Sequence, residues 1–164
     1  MLAPTAIELE ALTAAFEAYR DHYREPVEPG LTTAWLARQL QTGGLKVFVA
    51  EDRDDVVGFA ACVQVPASLR LGHWWQIRDL FVVPTYRRQG IALALLDTVR
   101  SAADTAGALR LGLQTEETNE AALAIYRRVG YVPVAGYLSL TLPLPAGETA
   151  PHRRSRRRGP DSDR

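Results

Sequence analysis

The stretch Leu80-Phe81-Val82-Val83-Pro84-Thr85-Tyr86-Arg87-Arg88-Gln89-Gly90-Ile91-Ala92 is where the chain changes its period, and the architecture turns on it. Up to Val83 the apolar residues run as a strand, and Pro84 ends it. Beyond it Ile91, Leu95, Val99 and Ala102 recur at helical spacing, so a helix begins near Arg88 and closes by Gly107. A helix start leaves its first N–H groups without partners and carries about half a positive charge. Gly90 lets a ligand come close to that backbone, so phosphate oxygens can take several N–H bonds at once. Arg87 and Arg88 add charge suited to a diphosphate. The segment is neither a P-loop nor a dinucleotide fingerprint, since GxxxxGK[ST] and GxGxxG are both missing. From these residues alone, a capped helix start with surface arginines reads equally well.

On the N-terminal side, His73–Val83 reads as a strand, and Leu45–Ala50 with Val56–Val65 as a hairpin across the acidic turn Glu51–Asp55. Before these, Leu9, Leu12, Phe16, Tyr19 and Tyr23 form one helical stripe ended by Pro26 and Pro29. Thr32 or Thr33 can cap a second helix carrying Trp35, Leu36 and Leu40, stopped by Gly43-Gly44. On the C-terminal side, Leu109, Leu111 and Leu113 alternate as a strand, and Asn119 can cap a helix through Ala122, Ile125, Tyr126 and Val129 to Gly130. Tyr131–Leu142 predicts a last hairpin around Ala135-Gly136. The order of elements predicts an α/β fold layered on one sheet.

Composition sets the class. The chain has 164 residues, 47% hydrophobic and 23% charged, enough for one domain with a core of its own. One cysteine, Cys62, excludes a disulfide framework, and zinc spacings are absent; in a strand it reads as a small core residue. No run approaches the ~18 apolar residues of a membrane span, and no secretory pattern opens the chain, which predicts a cytoplasmic protein without a membrane partner. Residues 151–164 carry a net charge of +4, while residues 1–150 hold 13 basic against 17 acidic residues. The reading is a domain over 1–145 and a disordered Arg-rich tail over 146–164. That tail could be a nucleic-acid arm, but no aromatic residue interleaves its arginines and the body is acidic, which argues against nucleic acid as a partner.

Three segments together resemble the GCN5-related N-acetyltransferase (GNAT) superfamily over roughly residues 5–142. Arg87, Gly90 and Ala92 match the fixed positions of its Q/R-x-x-G-x-G/A signature, Leu80–Pro84 is similar to its L-x-V-x-P strand end, and Asn119, Ala122, Tyr126 and Gly130-Tyr131 resemble its N-x-x-A-x-x-x-Y-x-x-x-G-[FY] segment. The resemblance implies a GNAT fold: a central mixed, mostly antiparallel sheet with helices on both faces. The family's strand before the first helix is short or missing here. It also implies acetyl-CoA as cosubstrate and no metal. The pyrophosphate would be held at Arg87, Arg88, Gln89, Gly90, Ile91 and Ala92, the pantetheine arm along Leu80, Phe81 and Val82, and the CoA arm would meet Asn119. Tyr126 would sit near the sulfur and protonate the leaving thiolate; a core aromatic is its other reading.

Acetyl transfer to an amine has a proton to dispose of. A primary amine with pKa near 10.4 costs roughly 4–5 kcal/mol to deprotonate at pH 7. Two positions where relatives carry a glutamate base hold Gln76 and Gln114 here. Asp79 remains, as amine binder and base or as a structural partner of backbone or Arg78. Glu116 and Glu117 are further candidates. The acceptor side would draw on Tyr19, Tyr23, Glu25, Glu28, His73, Trp74, Trp75 and Tyr137, rings and carboxylates that suit a cationic amine. His22 has no obvious partner. The expectation is an N-acetyltransferase acting on a primary amine of a small molecule by direct attack. A protein or peptide amine is the alternative acceptor, and a non-catalytic acyl-CoA sensor on the same fold the alternative role. The resemblance also allows a homodimer.

Overall fold

A computed structural model of the chain describes residues 6–136 and 138–144. Two long strands form its spine: β2 (Asp55–Ala67) and β3 (Gly72–Val82), with β1 (Lys46–Asp52) antiparallel on one side and β4 (Leu111–Leu113) parallel on the other. The sheet is therefore mixed, with order β1-β2-β3-β4 among the described residues. The first two helices, α1 (Ala6–His22) and α2 (Pro29–Thr42), cover one face, where Leu12, Phe16 and Leu36 pack on Phe59, Ala61 and Phe81. On the other face α3 (Ile91–Thr105) and α4 (Glu120–Val129) bring Leu96, Val99, Ile125 and Tyr126 against Ala60, Cys62, Trp75 and Ile77. Cys62 is fully buried, as its place in the strand predicts.

One irregularity in β3 positions the site. Side chains alternate faces along a strand, so Trp75, Ile77, Asp79 and Phe81 would all share one face if pairing were regular. Cys62 pairs with Ile77 but Ala61 pairs with Asp79, leaving Arg78 without a partner on β2. This β-bulge flips the parity: Trp75 and Ile77 join the core under α3, while Phe81 joins the core under α1 and Asp79 turns to α1 with it. On its other edge β3 pairs with β4 through Trp75, Gln76 and Ile77, and among the described residues no strand lies beside the stretch from Arg78 to Val82 there.

Two expectations need correction. The second helix starts at Pro29, with Glu28 as its N-cap, rather than at Thr32 or Thr33. Proline fits the first helical turn because its missing N–H would be unpaired there anyway. The entry to α2 is held instead by buried Glu17, which accepts the Glu28 N–H at 2.9 Å and the Thr32 hydroxyl. The last hairpin does not form: Tyr131–Gly136 and residues 138–144 contain no strand. Pro133 and Pro143 have no N–H to give a ladder, and Leu138, Leu140 and Leu142 stay more than four-fifths exposed. Alternation marks a face that could be buried; it does not supply the partner strand. Tyr137 and the tail over 146–164 lie outside the described residues.

Candidate active site

A cavity of about 890 Å³ opens where β3 and β4 part. Its walls are the unpaired part of β3 from Arg78 to Val82, the turn from Tyr86 to Gly90, the first turn of α3, the segment after β4 from Leu113 to Glu116, and the inner face of α4. The end of α1 contributes Tyr19, His22 and Tyr23.

The turn before α3 is shaped for a close approach. Gly90 is the N-cap of α3 with φ +86°, and Arg88 also has a positive φ of 64°. A Cβ at Gly90 would meet nothing within 4 Å, so the space above its backbone is open. The first hydrogen bond into the helix runs from the Ala94 N–H to the Gly90 carbonyl, and the N–H groups of Ile91, Ala92 and Leu93 have no acceptor among the described residues. Arg88 stands exposed on the cavity. Arg87 is partly committed: its Nε donates to the Val82 carbonyl at 3.0 Å and its guanidinium lies 5.8 Å from the Phe81 ring centre, bracing the turn against the strand end. Gln89 is not in the wall; its amide nitrogen donates to the Thr85 carbonyl at 3.4 Å. Asn119 lines the cavity while its Oδ1 accepts from the Ala122 N–H at 3.1 Å, so its carbonyl caps α4 and its amide nitrogen is left over.

Tyr126 projects from α4 into the same space. Burial raises its phenol above the ordinary pKa, with the nearby Tyr23 adding to the effect, so it stays protonated at neutral pH. Its ring meets Tyr131 edge-on at 5.8 Å, and its hydroxyl makes no hydrogen bond among the described residues. Across the cavity the Tyr19 hydroxyl donates to Asp79 Oδ1 at 2.8 Å. Burial pushes the Asp79 carboxyl above its usual range, against the opposing pull of the Tyr19 bond and the Arg78 charge. Tyr19 is itself raised, by burial first and then by Asp79, and so remains a donor. The carboxylate's partner is thus Tyr19. Arg78 lines the cavity, but no ion pair within 4.0 Å joins it to Asp79; the ion pairs among the described residues are Glu17–Arg20 and Asp97–Arg100.

Leu80, Phe81, Val82, Arg87, Arg88, Gly90, Ile91, Ala92, Asn119, Tyr126 and Asp79 thus stand around one cavity. Glu116 and Gln114 line it too, and Glu117 does not. Of the acceptor-side candidates among the described residues, Tyr19 and Tyr23 reach it. Trp75 is core, Trp74 lies under the Arg110 guanidinium at 4.4 Å and against Gly112, and Glu28 spends its N–H on Glu17. His22 is the residue that sequence reasoning left without a role: it stands edge-on to Tyr23 at 5.3 Å and faces Phe81 at 6.2 Å. Its place on the Tyr19–Tyr23 side of α1 was the available signal. Cys62 is no nucleophile, because burial pushes its thiol up to about 12. Among the described residues no cluster is placed to hold a metal ion, and no helix is long and apolar enough to cross a membrane.

A family model and several known proteins are similar to this chain. The description "Acetyltransferase (GNAT) family" matches residues 12–131. The chain is 30% identical over 136 residues, 83% of its length and 91% of the relative's, to the uncharacterized N-acetyltransferase YhfO of Bacillus subtilis (strain 168). It is 38% identical over 85 residues to N-alpha-acetyltransferase 30 of Schizosaccharomyces pombe, covering 51% of this chain and 55% of that one. A crystal structure of a probable acetyltransferase superposes with a TM-score of 0.80 at 26% identity, over 88% of this chain and 97% of that one.

Proposed function

The chain belongs to the acetyltransferase (GNAT) family, and on that premise we propose that it moves an acetyl group from acetyl-CoA to a primary amine of a small molecule. The observation that carries this reading is the continuity of one cavity from the open N–H groups of Ile91–Leu93, past Tyr126, to the Asp79–Tyr19 pair. The N–H groups, the N-terminal charge of α3 and Arg88 suit a diphosphate. The unpaired edge of β3 from Arg78 to Val82 leaves backbone groups to pair with the amide-bearing arm of CoA.

The residues then divide the proton work. Asp79, its affinity for a proton raised by burial, takes the proton that the amine must lose before its nitrogen can attack the thioester carbon. Backbone N–H groups of the Leu80–Val82 stretch are the candidates to polarise the carbonyl oxygen. As the N–C bond forms and the C–S bond breaks, Tyr126 gives its proton to the departing thiolate. The ammonium loses two protons in all: the first stays on Asp79 until solvent takes it, and the second, shed by the nitrogen once it is acylated, restores the proton that Tyr126 gave to the thiolate. The wall of Tyr19, His22 and Tyr23 bounds the acceptor end, which favours a small molecule over an extended chain.

Calorimetry with acetyl-CoA, followed by thiol release across a panel of amines, tests the proposal. Binding with amine-dependent thiol release supports it. Binding without release from any amine favours an acyl-CoA sensor, and no binding sinks the reading.

A further inference from the structure

The acceptor end of the cavity carries opposite charges on consecutive residues. Neighbours in a regular strand point to opposite faces, yet the bulge that skips Arg78 leaves both Arg78 and Asp79 in the cavity wall. Arg78 is exposed, and among the described residues no carboxylate oxygen lies within 4.0 Å of its guanidinium. Its charge is nevertheless felt at both Asp79 and Tyr19, so it stands beside that pair. It is poorly placed to serve the diphosphate turn: Val82 lies four positions further along, roughly 13 Å of strand at about 3.3 Å per residue.

We propose that Arg78 and Asp79 together select a zwitterionic acceptor, an amine whose own molecule carries a carboxylate, as an α-amino acid does. The inference rests on the amine-acetyltransferase reading above. The amine goes to Asp79 and Tyr19, and the carboxylate to the free guanidinium of Arg78, whose planar fork matches a carboxylate with two parallel N–H bonds. Arg78 also acts by exclusion, since the second cation of a diamine would meet a like charge beside the Asp79 carboxylate. His22, Tyr23 and Phe81 supply an aromatic wall beside the pair, suited to an apolar side chain.

The test is steady-state thiol release by the full chain with matched trios: phenylalanine, phenylalaninamide and phenethylamine, then the leucine and lysine equivalents, with cadaverine as the diamine. In the parent, the free amino acid is favoured over its amide and its decarboxylated amine by about 10- to 100-fold in kcat/KM, the worth of a charge-assisted hydrogen bond. The preference lies mainly in KM. In Arg78→Gln it disappears through a raised KM for the amino acids, read as the ratio to phenethylamine at one pH, so that any change the lost charge makes at Asp79 is shared by both substrates and divides out. Arg78→Lys restores part of it. Amides or diamines turned over as well as amino acids by the parent, or a preference that survives Arg78→Gln, overturns the inference while leaving the amine acetyltransferase standing. Silence across every amine overturns both.

Discussion

The Tyr19 hydroxyl of α1 donates to the Asp79 carboxylate of β3 at 2.8 Å, across sixty residues of chain. The bond exists because the bulge at Arg78 turns Asp79 toward α1, and it holds an acid in a place where burial disfavours its charge. As the proposed base, Asp79 therefore carries a conflict between stability and chemistry. Its folded pKa lies above the ordinary 3.8, so the folded state keeps a proton that the unfolded chain releases. Stability is then fully present below pH 3.8 and is lost as pH rises through the raised folded value. Asp79→Asn removes that loss, and the amide oxygen can still accept from Tyr19. At pH 7 the variant melts at or above the parent's Tm, and the gap narrows as pH falls toward 4. Its turnover falls by about 100-fold or more, the ordinary worth of a positioned base. A variant that unfolds more readily at neutral pH while keeping its rate would contradict both halves.

Tyr19→Phe separates the hydrogen bond from the ring. The phenyl group keeps the edge contacts with Phe16, Phe59 and Phe81, at 5.6–6.0 Å, so the fold survives. What is lost is a donor that lowers the Asp79 pKa, which therefore climbs further. A base with a higher pKa is protonated, and useless, up to a higher pH. The acid limb of kcat/KM against pH thus moves upward in Tyr19→Phe, and the deficit relative to the parent is larger at pH 6 than at pH 9. Arg78 is the other group whose charge bears on that limb, and it opposes the rise. An unmoved limb would show that Asp79 is not the group titrating.

Tyr126 has a different signature. Its hydroxyl is raised by burial and by Tyr23, and it accepts and donates nothing among the described residues. It lies in the cavity wall, where a ligand can reach it. Tyr126→Phe keeps the edge-on packing with Tyr131 and leaves Tm within a degree or two. It lowers kcat by about 100-fold with little change in the KM of either substrate. Thiol release with a poorer leaving group than CoA would suffer more, because it depends more on that proton.

Much of this arrangement was legible in the chain. The change of period at Pro84–Ile91 and the caps at Asn119 and Gly130 need only local propensity, and the structure has them where the pattern puts them. The bulge was not legible: parity after Arg78 depends on which β2 residue sits opposite, and no local rule prints a register. The same holds for Tyr19 meeting Asp79 and for Glu17 holding the start of α2, both contacts between distant segments. The final hairpin was over-read from alternation alone, in Leu138, Leu140 and Leu142, without a partner strand to receive them.

Gly90→Ala tests the turn that precedes α3. The φ of +86° at Gly90 lies in the left-handed region, where an alanine costs about 1–2 kcal/mol. That strain shows as a lower denaturation midpoint whatever the turn binds. No atom stands within 4 Å of the added methyl, so the substitution makes no clash in the free protein. A diphosphate drawn onto the N–H groups of Ile91–Leu93 would have to share that open space with the methyl. Acetyl-CoA affinity by calorimetry therefore falls about tenfold or more in Gly90→Ala, beyond what the shift in stability accounts for at a temperature where both proteins are folded. Kinetically the change appears as a raised KM for acetyl-CoA with the amine KM unaltered, since the acceptor end is built from α1 and β3. Acetyl-CoA bound as tightly by Gly90→Ala as by the parent would move the phosphate site away from this turn.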